Sequence, residues 1–249
     1  MLTRLELTWR LMDELIAQFL KLPSAIGQSD FKLEEYLQQS HLHGTTVLAL
    51  KYQGGVLLGG DGRASGMDFR IFTDKTPKVY PVSESTAYGL SGDAHLGIEV
   101  GKILALTLKN YEKKEFRAMS FVAQTKMLAK MIERLLPMAM QGRIVMPIFV
   151  SCQEICTIYP NGMVVRGDEG YGGIGSGSPH AIHRIKARLA DNPNPDKTRA
   201  IEIILEAFAE AHKSDAATGS NLLIYSLEES GIAIVRNDVG NGPFSMNLL

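Results

Sequence analysis

The stretch GTTVLALKYQGGVLLGGDGRAS, residues 44–65, decides the fold. It holds two apolar runs, TTVLALKY (45–52) and VLLGGD (56–61), around Gln53-Gly54-Gly55, and this spacing predicts two antiparallel strands joined by a tight turn. What precedes it has a different grammar. Residues 2–22 place Leu5, Trp9, Met12, Ile16 and Phe19 at helical spacing, and Pro23, Ser24 and Gly27 interrupt the pattern. FKLEEYLQQ (31–39) predicts a second short helix, and His41-Leu42-His43-Gly44 reads as an accessible loop. The boundary at Gly44/Thr45 therefore divides the chain into a leader, 1–44, and a single body domain, 45–249.

That boundary has chemical content. A threonine hydroxyl alone is a poor nucleophile, but a free α-amine, with a reference pKa of about 7.7–8.0, serves as a base at cellular pH. A cut after Gly44 would put both groups on Thr45.

Outward from this stretch the pattern alternates in blocks. KVYPV (78–82) and TAYGLSG (86–92) predict strands, and 94–113 and 118–140 predict long helices with Ile98, Val100, Leu104 and Leu108, then Phe121, Met127, Met131 and Leu135 on their apolar faces. Strands are expected at 146–152, 155–159 and 162–166, with Pro160-Asn161-Gly162 as a hairpin turn. Helices at 178–190 and 196–213 and strands at 221–226 and 231–235 complete the order. Paired helices between blocks of antiparallel strands argue for two packed sheets with helix layers outside, an α+β rather than a doubly wound parallel fold.

Composition bounds the rest. With 249 residues, 45% hydrophobic and 21% charged, the chain suits one good-sized globular domain. A net charge of -1 and a pI near 6.6 offer no bulk attraction for nucleic acid or an anionic membrane. The longest uncharged apolar stretch, Ile144 to Cys152, is far below the about 20 residues a membrane span needs. Arg4, Glu6, Arg10, Asp13 and Glu14 interrupt any secretory h-region, so a cytoplasmic location is expected. Cys152 and Cys156, in SCQEIC, have neither zinc nor disulfide-framework spacing and read as buried thiols on neighbouring strands. No cofactor or metal is expected.

An N-terminal threonine needs a proton shuttle, donors for the oxyanion and polar groups around its amine. Asp61 ends the second strand, and Lys78 begins the third. GIGSGSP (173–179) lacks both the dinucleotide register and the Walker lysine, which leaves it as a strand-to-helix turn presenting Ser176 and Ser178. SDAATGS (214–220) puts Asp215 and Thr218 on one polar turn.

These motifs together, GTTVLALKYQGGVLLGGDGRAS, KVY, YGLSGDA, GIGSGSP and SDAATGS in this order, resemble the proteasome β-subunit of the bacterial 20S kind from about Gly44 to Val235. The resemblance implies the four-layer αββα sandwich of N-terminal-nucleophile hydrolases and threonine-type endopeptidase activity after autocatalytic removal of residues 1–44. It implies Thr45 as the nucleophile, Asp61 and Lys78 as its partners with Arg63 beside them, and the Gly92 amide as oxyanion donor. Ser176, Asp215 and Thr218 fall around the amine, Thr218 standing where the family commonly has serine. Lys78 is preferred to Lys75 because Val79-Tyr80 follows it. Ala64, Ser65, Thr76, Tyr80, Leu90 and Ala94 are the implied substrate-pocket residues, favouring a hydrophobic residue before the cut. The resemblance further implies a homo-heptameric β ring stacked on a second one, α-subunit rings, an ATP-dependent unfoldase ring and unfolded protein substrates. A catalytically silent β-like ring subunit and a small-amide hydrolase of the same superfamily are the alternative readings.

Overall fold

The computed structural model describes residues 45–65 and 71–240; the helices expected at 2–22 and 31–39 lie outside them. Two five-stranded antiparallel sheets form the centre. The first runs β10-β1-β2-β11-β12, from Tyr171–Ile174, Val47–Tyr52, Gly55–Asp61, Leu222–Glu228 and Gly231–Asn237. The second runs β5-β6-β7-β8-β9, from Val79–Pro81, Thr86–Gly92, Val145–Ser151, Ile155–Ile158 and Val164–Arg166. A short ribbon pairs β3 (Ala64–Ser65) with β4 (Ile71–Thr73).

The period-2 alternation of β1 explains the layering. Val47 and Ala49 join Leu58, Val79, Ala87, Ile148, Val150 and Leu223 in the core between the sheets. Leu48, Leu50 and Tyr52 point the other way, into a cluster with Ala181 and Ile185 of α4 (Ser178–Leu189) and Ile203, Ile204, Ala207 and Phe208 of α5 (Lys197–Ser214). On the far side, α1 (Ala94–Glu115) meets the second sheet through the Tyr88 hydroxyl, which donates to the Gly97 carbonyl at 3.0 Å. Phe121 of α2 (Phe121–Arg134) stacks on Phe149 with ring centroids 5.1 Å apart. The order helix, sheet, sheet, helix is the αββα sandwich expected from the block pattern.

Three local expectations need correction. The helix expected over 118–140 ends at Arg134 and restarts as the single turn α3 (Leu136–Ala139), because Pro137 has no N–H to give and its ring crowds the preceding turn. β10 falls in a segment not predicted as strand: YGGI carries two glycines, which are depleted in strands, and pairing with β1 overrides that preference. Cys156 is buried on β8, but Cys152 lies just beyond β7 in the turn and is half-buried; both thiols are free. Among the described residues no helix is long and apolar enough to cross a membrane.

Candidate active site

Strand β1 delivers Thr45 and Thr46 to one end of the first sheet, between β2 and β10. Thr45 is only 5% exposed. The backbone of Thr46 brackets Asp61 at the end of β2: its N–H donates to Asp61 Oδ1 at 2.7 Å, and its carbonyl accepts from the Asp61 N–H at 3.0 Å. Asp61 is fully buried, and its second oxygen accepts from the N–H groups of Arg63 at 2.9 Å and Gly219 at 2.8 Å. A buried carboxylate requires such donors.

The fourth donor is a charge. Lys78, one residue before β5 and 5% exposed, places Nζ 2.7 Å from Asp61 Oδ1. Burial pulls its pKa below the ordinary lysine value, and the Asp61 carboxylate pulls the other way. A lysine so placed passes a proton at lower driving cost than a solvated one. Lys75 is exposed, so of the two lysines in this segment it is Lys78 that reaches the aspartate. Arg63 braces the same corner, with Nε on Asp74 Oδ1 and Nη1 on the Ala216 carbonyl, both at 2.7 Å.

A second carboxylate organises the other side. Asp215 caps the end of α5, where its Oδ2 accepts from Ser176 Oγ at 2.6 Å and from Thr218 Oγ1 at 2.8 Å. The Ala217 N–H donates to Oδ1 at 3.0 Å. Ser176, Asp215 and Thr218 thus form one network. Ser178 stands apart from it, turning its hydroxyl back to the Gly175 carbonyl at 2.8 Å, and the start of α4 has no side-chain cap. The glycines of GIGSGSP have steric reasons: a Cβ on Gly175, at φ +91, would lie 2.0 Å from the Thr45 carbonyl oxygen.

Gly92 closes β6, two residues beyond Leu90, whose N–H bonds the Lys78 carbonyl at 2.9 Å. Its φ is +92, and a Cβ there would meet the Ile144 carbonyl oxygen at 2.1 Å. The next residue, Asp93, caps α1 through the Leu96 N–H at 2.9 Å and pairs with Arg143 at 2.8 Å, which fixes the peptide that follows Gly92. Gly92→Ala should therefore cost about 2–4 kcal/mol from strain plus overlap, read as a lowered urea midpoint; an unchanged midpoint would mean the turn relaxes freely.

The implied pocket residues divide by burial. Ala64, Ser65 and Thr76 are half-buried and Ala94 is exposed. Tyr80 and Leu90 are core residues: the Tyr80 hydroxyl bonds the Pro77 carbonyl, and Leu90 packs beneath Gly97 of α1. Thr46, Gly219 and His212 join the site from outside the predicted set, His212 through Nδ1, 2.8 Å from the Thr218 carbonyl. The signal for Thr46 was its place next to Thr45; His212 gives none, sitting in an ordinary last helical turn.

Comparison with known proteins bears on the whole arrangement. The model of the proteasome subunit family matches residues 41–227. A proteasome subunit beta from Acidimicrobium ferrooxidans is 37% identical over 183 residues, which cover 71% of this chain and 66% of that protein. Its counterpart from Nocardia farcinica is 34% identical over 202 residues, 77% of this chain and 69% of the relative. That from Mycobacterium ulcerans is 32% identical over 256 residues, 92% and 87% respectively. The match runs from just before Thr45 into β11 and so takes in both carboxylate networks, the second sheet and all of the first but β12 and the end of β11: the chain belongs to the proteasome subunit family, with the bacterial β subunits.

Proposed function

We propose that the chain is a threonine-type endopeptidase subunit of a bacterial 20S proteasome core, made as a precursor and activated by cleavage between Gly44 and Thr45. The observation that carries this reading is the buried Lys78–Asp61 pair, locked to the backbone of the residue that follows Thr45. While Thr45 is in peptide linkage its nitrogen is an amide and cannot act as a base. Cleavage converts that nitrogen to an amine and exposes the hydroxyl to substrate.

In the reaction the Thr45 Oγ1 attacks the substrate carbonyl; its single proton passes to Lys78 Nζ as Nζ hands one of its own to the Thr45 amine, so Lys78 carries the proton with no net change in its charge. Asp61 holds Lys78 in place and moderates the cost of its charge. The Gly92 amide receives the developing oxyanion. Collapse expels the leaving amine with a proton and leaves an acyl ester on Thr45, which water hydrolyses. Ala64, Ser65, Thr76 and Ala94 line the pocket for the residue before the cut, backed by Tyr80 and Leu90. The lining is small and uncharged, and its apolar members Ala64, Ala94, Tyr80 and Leu90 favour a hydrophobic side chain there.

The chain would work in a heptameric ring stacked on a second such ring, between α-subunit rings and fed with unfolded protein by an ATP-driven ring. The intact mass of the purified, active chain tests the activation step. It should correspond to a chain starting at Thr45; an active chain still beginning at Met1 would overturn the precursor reading.

A further inference from the structure

Thr46 has a place in the site that its neighbour's chemistry does not account for. Its backbone belongs to the Asp61 network, but its side chain belongs to the Asp215 network: Thr46 Oγ1 lies 2.7 Å from Thr218 Oγ1, and both residues are fully buried. Counting protons gives the direction of that bond. Thr218 has one hydroxyl proton, and the Asp215 carboxylate, which only accepts, takes it at 2.8 Å. The Thr46 hydroxyl therefore donates to Thr218, making a one-way chain from Thr46 through Thr218 to Asp215, where Ser176 also donates at 2.6 Å.

The surroundings leave this pair little freedom. A Cβ on Gly177 would lie 2.2 Å from Thr46 Oγ1 and 2.4 Å from Thr218 Oγ1, so the turn before α4 closes directly over the two hydroxyls. His212 Nδ1 lies 2.8 Å from the Thr218 carbonyl oxygen and ties down the backbone of the same residue. Among the described residues Thr46 is thus the one next to Thr45 whose own atoms reach both Asp61, by its N–H, and Thr218, by its hydroxyl.

We propose that Thr46 is a positioning residue for the reaction, its hydroxyl locking the start of β1 to the Thr218–Asp215 network so that the Thr45 amine and hydroxyl keep a fixed orientation between the two carboxylates. This rests on Thr45 being the nucleophile. Thr46 touches no reacting atom and acts through Thr218 and through its peptide bond to Thr45. Methyl groups are not the working part. Serine at 46 keeps the donor, and valine keeps the shape and loses it.

The test expresses the whole chain and assays its assembled form after leader removal, with Thr46→Val, Thr46→Ser, Thr218→Val and the double valine variant. With a peptide substrate, Thr46→Val should lower kcat about tenfold, the worth of one buried hydrogen bond, and leave KM within about twofold. Thr46→Ser should restore most of kcat. The double variant should be no slower than the slower single one, since each valine breaks the same link. Wild-type kcat in Thr46→Val, or single effects that multiply in the double variant, would overturn the proposal. Should valine at 46 prevent folding, Thr46→Ala against Thr46→Ser gives the same comparison at lower packing demand, and equal kcat in those two would likewise overturn it. Acylation by a peptide-like β-lactone, mapped by mass to the Thr45 peptide of the wild type, separates the two levels. Failure to acylate Thr45 sinks the nucleophile reading, whereas normal acylation with an unaffected Thr46→Val sinks only the role of Thr46.

Discussion

Alanine at position 45 is expected to reduce hydrolysis of a fluorogenic peptide with an apolar residue before the cut by about 10⁴-fold or more, with residues 1–44 still attached. The hydroxyl is the atom that forms the ester, and no neighbouring group replaces it: Ser176 is committed to Asp215, and Thr46 to Thr218. The folded structure should tolerate the change. Thr45 precedes β1 rather than lying within it, and loss of its two outer side-chain atoms falls in the ordinary range of about 1 kcal/mol for a point substitution. A chain that melts like the wild type yet neither turns over substrate nor sheds its leader separates a chemical defect from a structural one. Thr45→Ser, which keeps both hydroxyl and amine, should retain leader removal and measurable turnover. If the alanine variant cleaved the peptide at the wild-type rate, Thr45 would have no part in the chemistry.

Both sheets were legible in the sequence where alternation is strong. β1 and β2 carry apolar residues on each face because each face is covered, one by the second sheet and one by α4 and α5. β10 was not, since Tyr171-Gly172-Gly173-Ile174 owes its strand conformation to pairing with β1 and not to local preference. The break at Leu135 was legible in principle from Pro137, but the apolar spacing on either side reads as continuous. In the site, Asp61, Lys78, Ser176, Asp215 and Thr218 all sit in short motifs, and the fold brings the first two together and the last three together. Contacts made by backbone groups, such as the Gly219 N–H on Asp61, leave no residue-type signature. Neither does the pairing of two threonines 172 positions apart, which only the stacking of β1 against the turn after α5 creates.

Methionine at position 78 is expected to damage both stability and catalysis, for one physical reason. Asp61 is fully buried, and Lys78 is its one charged partner among the described hydrogen bonds, the other three donors being backbone N–H groups. Removing one member of a buried ion pair strands the other, which costs about 3–5 kcal/mol. The same substitution removes a proton carrier, for a loss of about 10²–10⁴-fold in kcat. Lys78→Arg separates the two effects: it keeps a positive charge for Asp61 but holds its proton too tightly to exchange it, so stability should recover more than turnover. The pH dependence has a definite sign. An unfolded lysine keeps its proton up to 10.5, whereas burial makes the folded Lys78 release it at a lower pH. Between those two values the unfolded chain binds more protons, so the contribution of this residue to stability rises with pH. Its penalty is fully present below the folded value and gone above 10.5. Methionine does not titrate, and the deficit of the variant in unfolding free energy should therefore widen as pH climbs toward that limit. Urea midpoints for both chains across the alkaline range measure this directly. A deficit that stays constant or narrows would mean that burial does not hold the Lys78 pKa below its unfolded value.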